Sequence, residues 1–290
     1  MKIPSKVRNL AFTNSTLQKQ PMTYTIQVNI RENDHPLYPG NHVKVEPLDN
    51  ENDTINIDEM ILSIDAFLHE RGILSNGSSR YDEVKKILRA EFINYEDIES
   101  IKKLKIANID LMQITAIINT YKELNKKNIP KDFRAAIFND NILPKNESNP
   151  GRNYLFEYYV RSRLIASGCK AIKAEPDFIC DYKGFKFGVA VKRFKINQIE
   201  KHLRKAKEQI LKSKLPGLIF LDISINDIFN VETLHIGTRE KYIKHVHSWM
   251  ELNFFQEIRK KQGLIGLHFP IIPSVIAFHF GMTSEDEEMN

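Results

Sequence analysis

The stretch EPDFICDYKGFKFGVAVKRFK, residues 175–195, decides the fold. Two short runs rich in apolar and aromatic residues flank Lys183-Gly184, a pair suited to a tight turn, which predicts a β-hairpin over 176–193. Alternate side chains of a strand share a face. Phe185, Phe187, Val189 and Val191 therefore point to one side and read as core. Lys186, Gly188, Ala190 and Lys192 point to the other, a face that becomes small and open near Gly188 and Ala190 and ends in a lysine. Pro176 suits a strand entry, where no ladder donor is needed. Asp177 opens the first strand, so an acid and a lysine at neighbouring strand ends can converge on one point.

Outward from the hairpin the pattern stays legible. A helix over 153–167 and a short strand near CKAIKA precede it. A basic helix over 197–213, an apolar strand in GLIFLDIS, a helix from about 238 to 261 and a last strand in SVIAFHF follow. This order predicts an α/β domain with a mixed central sheet flanked by helices. Upstream, IDEMILSIDAFLHERGIL sets Met60, Ile61, Ile64, Phe67 and Leu68 on one helical face, and YDEVKKILRAEF and IDLMQITAIINTYKEL repeat the theme. TYTIQVNI alternates as a strand in an otherwise irregular first 55 residues. The segment 138–153, rich in Asn, Asp, Pro and Gly, is the natural boundary. The expected domains are a mostly helical 1–145, a sheet domain 150–283 and an acidic tail 284–290.

The 290 residues carry a net charge of +5 that conceals an asymmetry. Residues 1–150 hold 20 Lys and Arg against 21 Asp and Glu, and residues 151–283 hold 22 against 12. A basic half beside a neutral one suits contact with phosphates. No apolar run is long enough for a membrane span or the core of a signal peptide, so the expected location is the cytoplasm, with no membrane contact. The cysteines, Cys169 and Cys180, are too few and isolated for a disulfide framework or a cysteine-rich zinc site, and read as buried thiols. No Gly-rich phosphate loop is present, which argues against ATP or GTP use.

On helix 153–167, Glu157 shares a face with Val160 and Leu164. It reads either as a stripe-edge residue paired with Arg161 or as a metal-site acid facing the hairpin. The basic helix sets Ile199, Leu203, Ala206 and Ile210 on its core stripe and Gln209 beside it. Lys201, Arg204 and Lys205, with Arg193 and Lys195 ahead of the helix, are either a solvated face or phosphate contacts. His245 and His247 are two apart on a predicted helix and do not converge on a metal. Asp222 reads as a strand-end carboxylate, and Trp249, Phe254 and Phe255 as core.

Residues 152–225 resemble the PD-(D/E)xK nucleases of the restriction-endonuclease-like superfamily, through GRNYLFEYYVRSRLIASG, PDF, VAVKR, AKEQI and GLIFLDIS in that order. The resemblance implies a DNA endonuclease using Mg2+ or Mn2+, which lowers the pKa of the attacking water. Asp177 and Glu157 would be metal ligands, Lys192 the catalytic lysine and Gln209 the polar residue of the following helix. Defence against phage or foreign DNA is the role such nucleases with an unrelated appended domain often serve. The neutral helical domain would be a surface for a protein partner.

The departure is Ala190, which stands where the family carries its second acid, two residues before the lysine. Three explanations stay open: a replaced acid in an otherwise active enzyme, a natural member that binds nucleic acid without cutting, or relocation of the role to Glu157 or Glu175. Of those two acids Glu157 is the better placed. With alanine at 190, little or no cutting is expected.

Overall fold

In a computed structural model of the chain, the described residues are 24–28, 43–47, 56–90, 97–122, 129–143, 149–194, 196–222 and 274–278. The strands are β1 (Tyr24–Val28), β2 (Val43–Pro47), β3 (Lys170–Lys173), β4 (Phe178–Tyr182), β5 (Phe185–Arg193), β6 (Gly217–Asp222) and β7 (Ser274–Phe278). The helices are α1 (Ile57–Glu70), α2 (Arg80–Leu88), α3 (Ile98–Thr120), α4 (Lys131–Phe138), α5 (Pro150–Ala166) and α6 (Ile199–Ser213). The described elements group into two units: α1 to α5 form one, and β1 and β2 join β3 to β7 and α6 in the other. The expected boundary at 145–150 falls ahead of α5, but α5 packs on α3 and α4. The helix that carries Glu157 is thus part of the helical unit.

The helical unit follows its apolar periodicity. In α1, Met60, Ile61, Ile64, Phe67 and Leu68 are all buried, and Asn56 caps the helix by accepting from the Glu59 amide. Ser79 and Asp82 form a reciprocal capping box at the start of α2. Phe67, Phe133, Tyr121 and Tyr158 form an aromatic cluster with centroids 5.4 to 6.3 Å apart, and the Tyr158 hydroxyl donates to Asp132 at 2.8 Å. Buried charges also hold this unit. Arg152 donates to Asp110 at 2.9 Å and to the Ile142 carbonyl at 2.8 Å, and Arg80 Nε lies 3.4 Å from the other oxygen of Asp110. Arg80 also donates to the Ala136 carbonyl.

The other unit contains a mixed five-stranded sheet in the order β3-β4-β5-β6-β7, and a separate antiparallel pair of β1 and β2. β3, β4 and β5 are antiparallel neighbours, whereas β6 and β7 run parallel to β5. The hairpin turn is Lys183-Gly184, both with positive φ (51° and 84°), and Asp181 accepts from the Gly184 amide at 2.8 Å. Positive φ at both central residues matches the right-handed twist of the strands it joins, and glycine adopts it without steric cost.

α6 makes the crossover from β5 to β6, and its stripe of Ile199, Leu203, Ala206 and Ile210 is buried against the sheet. The approach is close because the paired Gly188 and Gly217 have no side chains. A Cβ on Gly188 would lie 3.1 Å from both Pro176 and Ser213, and one on Gly217 would fall within the Ile210 side chain. The face of β5 expected to be open is therefore small and covered. Both faces are buried from Phe187 to Val191, as befits a central strand.

Candidate active site

Asp177 and Lys192 meet at the end of the β4–β5 hairpin. The β4–β5 register ends with Phe178 opposite Val189, and the Asp177 amide, one residue ahead of the strand, also donates to the Val189 carbonyl at 3.0 Å. One oxygen of Asp177, Oδ2, accepts from the Val191 amide at 2.6 Å and from Lys192 Nζ at 3.0 Å. Both side chains are mostly covered, at 18% and 11% exposure. A carboxylate in this setting is fixed by a backbone donor and a charge together. Gln209 reaches across from α6 and donates to the Pro176 carbonyl at 3.2 Å, pinning the strand entry that carries Asp177.

Ala190 completes this row and is fully buried. A carboxylate at 190 would stand on the same face as Lys192, next in the chain to Val191, whose amide Asp177 already holds. With alanine there, the residues do not fit a magnesium ion: one Asp177 oxygen already takes two donors, and the methyl group offers no ligand. Among the described residues no group of three or more His, Cys, Asp or Glu could hold a metal ion. Glu157 lies half-buried on α5 of the helical unit, and Glu175 immediately precedes Pro176.

The basic residues divide. Arg193 turns inward on the face opposite Lys192, with its Nε 3.0 Å from Asp222 Oδ2 and side-chain exposures of only 8% and 4%. Asp222 is thereby a strand-end carboxylate in an ion pair, and Arg193 would have to leave it to reach a phosphate. Lys201, Arg204 and Lys205 are exposed on the outer side of α6, where Arg204 also pairs with Glu200 at 2.8 Å. They line a shallow depression of ≈ 600 Å³ with Gln198, Glu200 and Glu208, whose carboxylates offset part of the charge. Lys195, the histidines at 245 and 247, Asp286 and the rest of the acidic tail, and the aromatic residues at 249, 254 and 255 lie outside the described residues.

Matched against protein-family models, curated proteins and solved structures, the chain gives no match. The site therefore rests on its own geometry. Among the described residues no helix is long and apolar enough to cross a membrane.

Two features were not read from the sequence. Phe194 lies two residues beyond Lys192 and stacks on His202 of α6, with centroids 4.9 Å apart and planes within 9°. Extending the strand parity by one step would have found Phe194, but its histidine partner needs the helix phase as well. Cys169 and Cys180, isolated in sequence, are brought into contact by the β3–β4 register, and the hydrogen bond from Cys180 holds the Cys169 thiol below its ordinary pKa.

Proposed function

We propose that the chain is a restriction-endonuclease-like DNA endonuclease whose metal site lacks one carboxylate at residue 190, so that in this form it binds DNA without cutting it. The observation that carries the reading is the meeting of Asp177 and Lys192 at 3.0 Å, with Ala190 two residues before the lysine on the same face of β5. An acid and a lysine held together at paired strand ends, with a single methyl group where a second acid would converge, fit an interrupted hydrolytic site better than a structural ion pair alone. Lys192 would lie against the phosphate and offset its charge, and Gln209 would hold the Pro176–Asp177 corner in place. Defence against foreign DNA is the role we assign to the restored enzyme, by analogy with the family it resembles.

The test is Ala190→Glu, with Ala190→Asp beside it, incubated with supercoiled plasmid, single-stranded DNA and RNA in Mg2+ or Mn2+. Metal-dependent cleavage that disappears on adding Lys192→Ala or Asp177→Ala is the expected result. A folded Ala190→Glu chain that cuts none of these substrates with either metal overturns the endonuclease reading. In that event a second reading gains from the burial of Ala190 and the direct Lys192–Asp177 pair: a nucleic-acid-binding subunit complete without a metal, working through a protein partner on its helical unit.

A further inference from the structure

The row on the α6-covered face of β5 does not stop at Lys192. The Phe194 amide donates to the Asp222 carbonyl at 3.4 Å, continuing the ladder one residue past the strand. Phe194 therefore shares the face of Ala190 and Lys192, roughly 7 Å beyond the lysine at two residues of strand rise. It is 4% exposed, and His202 is half-buried and lies flat upon it. Nε2 of that imidazole is 3.4 Å from Gln198 Oε1. When Nε2 carries the hydrogen towards Gln198, Nδ1 is left as the atom that can gain a proton.

The charges acting on His202 are Lys192 from β5 and Lys201 and Lys205 from its own helix, all positive. Burial first, and then these cations, hold its imidazole below its ordinary pKa. A neutral imidazole among three cations is an arrangement that an arriving anion would change.

We propose that His202 is a phosphate-contacting residue, taking the phosphodiester group next along the nucleic-acid backbone from the one at Lys192, and that it binds a proton when that phosphate arrives. The inference rests on the reading that this end of the sheet meets nucleic acid. The Phe194 ring fixes the plane of the imidazole, so the contact is set before the ligand binds, and the three cations draw the phosphate in. The sign follows from linkage. The phosphate raises the imidazole pKa in the complex, so affinity increases as pH falls through the bound-state pKa and levels off below that of the free protein.

The measurement is fluorescence anisotropy of the full chain with a short labelled DNA duplex, and with its single strand, in EDTA at low ionic strength. Between about pH 8 and about pH 6, the unaltered chain should tighten by about tenfold more than His202→Phe, which keeps the stack but cannot bind a proton. His202→Gln should lose the same pH dependence, so that a folding defect in one variant does not decide the result. Lys192→Ala should bind more weakly at every pH and, with one cation fewer beside the imidazole, move the pH dependence upward without abolishing it. Equal slopes for the unaltered chain and both His202 variants overturn this inference while leaving the reading of the site intact. Absence of binding by the unaltered chain to either DNA overturns both.

Discussion

Lys192 and Arg193 are neighbours with opposite fates, and the alternation of the strand is the reason. Lys192 faces α6 and Asp177 at a partly exposed strand end, whereas Arg193 faces the other way into a nearly sealed pair with Asp222. Arg193→Ala withdraws the guanidinium from a buried carboxylate and should cost about 3–5 kcal/mol in urea denaturation. Lys192→Ala, at a more exposed pair, should cost about 1–2 kcal/mol. Replacing Arg193 and Asp222 together by Met and Leu should recover most of the larger loss; a double variant as unstable as the single would show that the ion pair is not what the position needs. The lysine's pairing could be read from one hairpin, because the tight turn brings its strand end to that of Asp177. The arginine's could not, because its partner comes from β6, and only the parallel pairing of β5 with β6 brings Asp222 to it. The same holds for Cys169 and Cys180, whose contact depends on the β3–β4 register. Both thiols are buried, so Cys169 should react slowly with a thiol reagent in the folded chain despite its lowered pKa, and rapidly in denaturant.

At the scale of elements, α6 was the most legible part of the chain. Its core residues recur at spacings of three and four, and all of them, Ile199, Leu203, Ala206 and Ile210, are buried as that period requires. The eight-residue α4 was not read at all. Pro130 precedes it with no side-chain cap, and its buried Phe133, Ala136 and Ile137 span barely one turn, too little for a period to declare itself. Nor could the closeness of α6 to the sheet be seen, since Gly188 reads in sequence as a gap in the strand face rather than as the seat of a helix. Gly217→Ala should therefore destabilise the fold by about 1–3 kcal/mol, because the new methyl group meets Ile210 in a filled interface. Adding Ile210→Val should return part of that loss in the same melting experiment; no recovery would place the strain in the backbone of β6 instead.

At the scale of the molecule, charge is organised differently in the two units. In the helical unit some charges are consumed internally: Arg80, Arg152 and Asp110 are all buried, drawn together from positions far apart in sequence that helical periodicity does not connect. In the sheet unit, Lys201, Arg204 and Lys205 are exposed and Lys192 stands at the strand end. The basic balance of residues 151–283 was legible, but which cations remain available was not, because Arg152 and Arg193 count towards that charge while facing inward. If these four residues are the ones that meet DNA, a plot of log K against log salt should have a slope of about −3 to −4, near −0.9 for each phosphate neutralised on duplex DNA. Lys201→Ala and Lys205→Ala should each make it shallower by about 0.9, and Arg204→Ala by less, because Glu200 already engages its guanidinium. Arg193→Gln, if it stays folded, should leave the slope unchanged. A slope that falls with Arg193 but not with Lys201 or Lys205 would move the DNA path from the α6 side of the sheet to the opposite face, and the assignment of His202 would fall with it.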